Sequence, residues 1–260
     1  MLQGKVAVVT GSTSGIGLGI AKALAYQSCD IMLNGFGNPL EIEAVRSGLE
    51  TEFGGQVGYC DADLSMPDEV RRLITETEAQ LGKVDILVNN AGIQHTDPIE
   101  DFPDDKWEAI LSINLSAVFY ATKAALPGMK RREWGRIINI ASAHGLVASA
   151  YKSAYVTAKH GVVGLTKVTA LETATLPITC NAICPGWVRT PLVEKQIEAL
   201  AADQGIDIAA AAKDLLGAKQ PSQGFVTPEQ LGQMAVHLCM GASDQITGTA
   251  ISMDGGWTAQ

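Results

Sequence analysis

Proline is scarce in this chain, at 10 of 260 residues, and aromatic residues make up only 5%. With so little proline and no collagen-like period, the 27 glycines, an excess over the usual ~7%, must serve particular places in a fold. The five cysteines (Cys29, Cys60, Cys180, Cys184 and Cys239) are odd in number, lie apart and form no Cys-x-x-Cys pair. That excludes a disulfide framework and leads us to expect a reduced, cytoplasmic protein. Positive charge is short: 19 Lys and Arg stand against 28 Asp and Glu, for a net charge of −9. A net anion repels phosphate backbones, and no basic cluster stands out beyond Lys130-Arg131-Arg132, so no nucleic-acid partner is expected. Long apolar runs are also missing, which argues against a membrane span. The first strand pattern starts at Lys5, so no signal peptide is expected. His95, His160 and His237 share no metal-ligand spacing, Cys180 and Cys184 read as core residues, and no metal is expected.

What is present is a large apolar core. Hydrophobic residues reach 47% and charged residues 18%, a balance opposite to that of disordered chains. Short β-branched runs predict strands at Val6–Thr10, Asp30–Asn34, Val57–Asp61, Ile86–Asn89, Arg136–Ala141, Thr179–Cys184 and Thr249–Met253. Most are nearly continuous in Val, Ile, Leu and Ala, as strands covered on both faces of a parallel sheet must be. Helical periodicity fills the gaps at Ile16–Tyr26, Leu40–Phe53, Pro67–Leu81, Asp105–Met129 and Ser153–Thr175. The order predicts an α/β fold: a doubly wound, Rossmann-type, mostly parallel seven-stranded sheet with helices on both faces. The whole chain, 1–260, reads as one domain. Between the sixth and seventh strands, about residues 190–223, an Ala-rich helical stretch broken by Gly205 and Gly217 interrupts the rhythm. At that place it can form a lid over the carboxyl ends of the strands, or simply pack as two helices.

The run Thr10-Gly11-Ser12-Thr13-Ser14-Gly15-Ile16-Gly17 follows the first strand and opens the first helix. A dinucleotide's pyrophosphate needs a tight turn there and close approach to the N–H groups of a positive helix end. After the second strand comes Asn34-Gly35-Phe36-Gly37, without the Asp or Glu expected on the ribose hydroxyls. No Lys or Arg stands in the 12–14 loop or at 34–38 to accept a 2′-phosphate, which favours NAD over NADP. Asp63 can accept from the adenine amino group or be a solvated acid at a helix start, and Asn89-Asn90-Ala91-Gly92 ends the fourth strand inside the cofactor crevice. Tyr155 and Lys159 lie four apart in a helical segment and so share one face, with Ser142 at the end of the fifth strand. A phenol is a poor base at neutral pH, an adjacent ammonium favours its ionised form, and a Ser hydroxyl can hold the substrate oxygen. Such a set exchanges protons with an alcohol–ketone pair beside a hydride acceptor.

These motifs, with Asn114 and Cys184-Pro185-Gly186, resemble the short-chain dehydrogenase/reductase family over essentially the whole chain. The resemblance implies that Tyr155 is the acid/base and that Ser142 orients the hydroxyl. Lys159 would bind the nicotinamide ribose and lower the Tyr155 pKa, and Asn114 would hold a water that completes a proton relay. It implies NAD contacts from Gly11, Thr13, Ser14, Gly15, Ile16, Gly17, Phe36, Asp63, Leu64, Asn90, Ala91, Gly92, Tyr155, Lys159, Pro185, Gly186, Val188 and Thr190. Asn34-Gly35-Phe36 departs from the Asp that many NAD-using members place there.

A cation, an imidazole and two amides at the strand ends (Lys152, His144, Gln94 and Gln196) suit a small carboxylate substrate. They would be left unpaired by a steroid or a long acyl chain. The stretches Ala91–Thr96, Ala141–Val147, Trp187–Gln196 and Asp254–Trp257 resemble those of bacterial family members that oxidise a short 3-hydroxy acid. By that resemblance Gln94, His144, Lys152 and Gln196 bind the carboxylate, Ser142 and Tyr155 the reacting oxygen, and Trp187 and Trp257 shape the methyl end. Homotetramers are usual for such members. Two other readings stand beside this one: a dehydrogenase of another small polar alcohol, and a non-catalytic dinucleotide sensor on the same fold.

Overall fold

The computed structural model describes residues 2–217 and 219–260. Ala218, inside the expected lid span, and Met1 lie outside the described residues. The strands are β1 (Val6–Val9), β2 (Asp30–Asn34), β3 (Val57–Cys60), β4 (Ile86–Asn89), β5 (Gly135–Ile140), β6 (Ile178–Pro185) and β7 (Ala250–Met253). They form one sheet in the order β3-β2-β1-β4-β5-β6-β7, and every neighbouring pair is parallel. Every residue of β1, β4, β5 and β6 is buried, which is why those runs carry hardly any polar alternation. The period of two splits β1 between two cores. Ala7 and Val9 face the side covered by α1 (Gly15–Tyr26), α2 (Pro39–Phe53) and α9 (Pro228–Cys239), where Ile20, Leu24, Leu49, Leu231 and Leu238 pack. Val8 faces the side covered by α3 (Pro67–Leu81), α5 (Ala117–Arg131) and α6 (Ser153–Glu172), among Leu73, Ile74, Met129 and Ala170.

The expected helix over Asp105–Met129 is two helices, α4 (Asp104–Leu111) and α5, joined by a π-helical turn at Ser112–Ser116. A π turn widens the spiral by one residue without breaking it, so neither Pro nor Gly marks it in the sequence. By length and composition the stretch Asp104–Arg131 would suit a membrane span. Its Ala117, Ala121, Ala125 and Met129, four residues apart, are instead packed against the sheet. The stretch after β6 forms α7 (Pro191–Gln204) and α8 (Ile208–Gly217), and Gly205 ends α7 in the left-handed region at φ +65°. This small helical pair has its own apolar cluster, built on Val193, Ile197, Ala201 and Ala211 with Trp187 and Phe225 at its edge.

Strand order reverses between β1 and β4. Connections leave in opposite directions there and open a crevice at the strands' carboxyl ends, the usual ligand position of such sheets.

Candidate active site

The crevice has two chambers. The first, of about 390 Å³, lies where β1 turns into α1. Its lining includes Gly11, Thr13, Ser14, Gly15, Ile16, Phe36, Asp63, Leu64, Asn90, Ala91, Gly92 and Thr190. Gly11 has φ +61°, and a Cβ there would stand 2.9 Å from the Ala91 Cα. Gly17 lines no chamber but lies under the turn, where a Cβ would meet the Gly11 carbonyl oxygen at 2.3 Å. The turn is clamped to β4. The Asn90 amide donates to the carbonyls of Thr10 (2.8 Å) and Gly11 (3.0 Å), and Thr10 Oγ1 accepts from the N–H groups of Asn90 and Ala91. Ser14 caps α1 without a side-chain hydrogen bond, and no acid stands in the first turn. The first N–H groups of α1 and its positive dipole end are therefore left for an anion, and a pyrophosphate fits this cradle.

Asn34, at the place of the missing carboxylate, is buried and fully used. Its amide donates to the carbonyls of Cys60 (3.1 Å) and Ala62 (3.0 Å) and accepts from the Gly11 N–H (3.3 Å). It joins three strand ends rather than reaching a ribose. Asp63 spends one oxygen on the Ser65 N–H (2.9 Å) and, among the described residues, is the one charged residue lining this chamber.

The second chamber, of about 230 Å³, continues from the first past Ile16, Asn90, Gly92, Ile93 and Thr190. It gathers every expected substrate residue: Gln94, Ser142, His144, Lys152, Tyr155, Trp187, Gln196 and Trp257. Lys159, Pro185, Gly186 and Val188 line it too. Gln94 comes from the loop after β4, Ser142 and His144 from the end of β5, Tyr155 and Lys159 from α6, and Gln196 from α7.

Asn114 does not line the chamber. It is buried in the π turn, where its amide accepts from the Ile93 N–H (2.8 Å) and donates to the Ile93 carbonyl (2.9 Å). That pair fixes the backbone leading to Gln94. His144 also differs from a residue poised only for a carboxylate. Its Nε2 pairs with Ser149 Oγ at 2.9 Å, and its Nδ1 stands 3.5 Å from Ser142 Oγ. The Ser142 hydroxyl oxygen further accepts from the His144 N–H at 3.1 Å.

Three supporting residues had no site role assigned from the sequence: Ser149, Gln220, and Asp254, which entered only as the start of the Asp254–Trp257 stretch. The Asp254 carboxylate accepts from the Gly256 N–H, the Thr258 N–H and the Thr258 hydroxyl, which winds the tail into a single 3₁₀ turn carrying Trp257. Trp257 then meets the His144 ring edge-on at 5.0 Å and stacks near Trp187 at 6.5 Å. Fully buried Gln220 accepts from the Trp187 N–H at 2.9 Å and donates to the Gly224 carbonyl, mooring both ends of the α7–α8 excursion. The Asp254-Gly255-Gly256-Trp257 spacing was the available signal for Asp254, whereas nothing local marks Ser149 or Gln220.

Burial dominates the electrostatics. It lowers the Lys159 ammonium to about 8, while Lys159 Nζ donates to the Ile140 carbonyl at 2.8 Å. Burial raises the Tyr155 phenol, and only the Ser142 hydroxyl pulls it back. The Lys159 ammonium is turned to the Ile140 carbonyl, 5.6 Å from the Tyr155 ring centroid. His144 is pushed down to about 4, first by burial and then by Lys152 and Lys219, so its imidazole is neutral at physiological pH. Lys152 is lowered by burial and by Lys219. Cys184 beside Lys159 is pushed up to about 11 by burial and stays a thiol.

Comparison with known proteins accords with this geometry. Residues 5–201 match the short chain dehydrogenase family. The chain is 57% identical, over the full length of both, to a D-beta-hydroxybutyrate dehydrogenase of Cupriavidus necator. It is 51% identical to a D-beta-hydroxybutyrate dehydrogenase of Rhizobium meliloti, covering 98% of this chain and 99% of the relative. Among solved structures, L-sorbose reductase from Gluconobacter frateurii, complexed with NADPH and L-sorbose, superposes with a TM-score of 0.94. It is 31% identical, and the match covers 99% of this chain and 98% of that one. Sheet order, glycine turn and the Ser142–Tyr155–Lys159 cleft agree with these likenesses: the chain belongs to the short chain dehydrogenase family of nicotinamide-dependent oxidoreductases.

Proposed function

We propose that the protein oxidises (R)-3-hydroxybutyrate to acetoacetate, reversibly, with NAD. One observation carries the reading: the Ser142 and Tyr155 hydroxyls share a chamber of about 230 Å³ with the Lys152 amine and the amides of Gln94 and Gln196. The two hydroxybutyrate dehydrogenases at 57% and 51% identity support the substrate. The nicotinamide supplies the hydride acceptor for the C3 hydrogen. This chain's residues handle the proton and the carboxylate. Ser142 Oγ, held by the His144 N–H and facing the imidazole, binds the C3 hydroxyl, and Tyr155 acts in its ionised form, which the Lys159 ammonium would favour: the phenolate takes the hydroxyl proton as the C3–H bond breaks and becomes the phenol. In the reverse direction the raised phenol is already in its donor form. Lys159 would hold the nicotinamide ribose, and Asn114, whose side-chain amide is paired with the Ile93 backbone, would hold the water that completes the proton relay. Lys152, Gln94 and Gln196 bind the carboxylate, while neutral His144 donates or accepts but carries no charge to it. Trp187 and Trp257 wall the methyl end.

With Asp63 as the lone charge among the described residues lining the first chamber, a 2′-phosphate would meet repulsion and no lining cation, which favours NAD over NADP. We take residues 1–260 as one catalytic domain whose α7–α8 lid closes over substrate and excludes water. The assembly we propose is a cytoplasmic homotetramer. β7 has an open outer edge, and α5 and α6 expose Phe119, Val168 and Leu171 beside a groove of about 240 Å³. Light scattering checks the mass, and a monomer would refute the assembly. The two rival readings predict different results: another small alcohol would be preferred in a substrate panel, and a sensor would bind NAD tightly yet turn nothing over.

Tyr155→Phe tests the mechanism, with kcat expected to fall by roughly 10²–10⁴. Near-wild-type turnover would overturn it. Lys152→Ala should raise KM for hydroxybutyrate by about tenfold or more, as loss of a charged hydrogen bond does, and leave KM for NAD in place. An equal change in both constants would remove Lys152 from the carboxylate site.

A further inference from the structure

We infer that Lys219, at the end of the α7–α8 excursion, is a specificity-determining residue that acts with Lys152 to select anionic over neutral small alcohols. The inference rests on the hydroxy-acid reading above and adds a residue that does not line the reaction chamber.

Four observations converge on it. First, Lys219 Nζ stands 5.9 Å from the centroid of the Trp257 ring, whose indole walls the chamber. Second, Lys219 is exposed at its head but anchored at its root. The next residue, Gln220, is fully buried and tied to the Trp187 N–H at 2.9 Å. The root of the side chain is thereby fixed beside the mouth, with the ammonium within reach of Trp257. Third, no Asp or Glu lines the chamber, and among the described residues neither Lys152 nor Lys219 takes part in an ion pair. Asp254, the acid nearest in sequence to Trp257, spends its oxygens on Gly256 and Thr258. Fourth, the charge of Lys219 is felt inside the chamber, since it lowers both Lys152 and His144 beyond what burial does.

Two ammonium groups without a counter-charge repel each other, and in a chain of net charge −9 their placement together is notable on physical grounds. An anion between them turns that repulsion into attraction. A short carboxylate bearing a hydroxyl or ketone fits this field, whereas a neutral polyol gains nothing from it. Lys219 touches no reacting atom. Its contribution belongs to encounter and binding, so it should appear in KM and not in kcat.

The test uses the intact enzyme with NAD, comparing Lys219→Gln, Lys219→Glu and Lys219→Arg. Oxidation of (R)-3-hydroxybutyrate and of its uncharged methyl ester is followed from about 10 mM to about 0.5 M salt. For Lys219→Gln at low salt we expect KM for the acid to rise about two- to fivefold, the range of an exposed charge. Lys219→Glu should raise it further and Lys219→Arg should restore the wild-type value. The salt dependence of kcat/KM should flatten in Lys219→Gln, with kcat and KM for NAD unchanged. The ester should not distinguish the variants. Wild-type KM and salt dependence in both the Gln and Glu variants would overturn the inference, as would an equal loss on the ester, which would mean packing rather than charge. If the wild type does not oxidise the acid at all, the hydroxy-acid reading fails and this one falls with it. If it does and the variants are silent, only the role of Lys219 falls.

Discussion

Replacing Lys159 with Met should make the protein more stable while abolishing its activity. Lys159 is buried on α6, its Nζ on the Ile140 carbonyl, and its pKa is lowered from 10.5 to about 8 by burial. At about 1.36 kcal/mol per pKa unit, holding the charged form inside costs about 3 kcal/mol at pH 7. The sign follows from proton counting. Between pH 8 and pH 10.5 the unfolded chain binds more protons at this site than the folded one, so this residue adds stability as pH rises through that window and withholds it below. Methionine has a similar stem and no charge, so Lys159→Met should gain roughly 1–3 kcal/mol at neutral pH once imperfect packing is allowed for. Urea unfolding of wild type and variant at pH 7 and pH 10 measures this. The gap between them should be largest at pH 7 and shrink at pH 10, while NADH formation is lost at both. A variant less stable than wild type at pH 7, or a gap that does not change with pH, would refute the claim that the site holds a strained buried charge.

Other perturbations test other parts of the site. Gly17→Ala drives a Cβ to 2.3 Å from the Gly11 carbonyl oxygen. The shift of the turn, costing about 1–3 kcal/mol, should raise KM for NAD far more than KM for the acid, as steady-state kinetics can show. Asp254→Ala removes three hydrogen bonds to the turn that carries Trp257. It should raise KM for the acid about tenfold with NAD binding retained in a fluorescence titration, and an unchanged KM would dissociate Trp257 from the substrate. His144, held near 4, should contribute no ionisation to the rate profile between pH 5 and pH 8. Ser149→Ala should nevertheless lower kcat, because Ser149 fixes the imidazole that faces Ser142. A profile with a histidine-like inflection in the wild type would contradict that neutral role.

Much of this was legible in the sequence because the relevant signals are local. The glycine turn sits between a strand and a helix, Tyr155 and Lys159 share a helical face by spacing alone, and buried parallel strands announce themselves as unbroken apolar runs. What the sequence hid depends on contacts between distant segments. Ser149 reaches His144 from an irregular loop, Gln220 crosses to Trp187 from 33 residues away, and Asp254 matters only because the tail folds over the cleft. The π turn was hidden for another reason: an inserted residue preserves the apolar stripe on both sides of it. The charge states were equally out of reach. Spacing brings Lys159 to Tyr155, but that burial lowers the ammonium and raises the phenol follows only from how deeply the fold places them.

The most direct test of the account follows NADH absorbance when the purified protein and NAD are given each enantiomer of 3-hydroxybutyrate. Assignment as an NAD-linked (R)-3-hydroxybutyrate dehydrogenase predicts rapid NADH formation with the (R) acid, little with the (S) acid and far less when NADP replaces NAD. Absence of NADH formation with the (R) acid, with NAD bound and the protein folded, would contradict it.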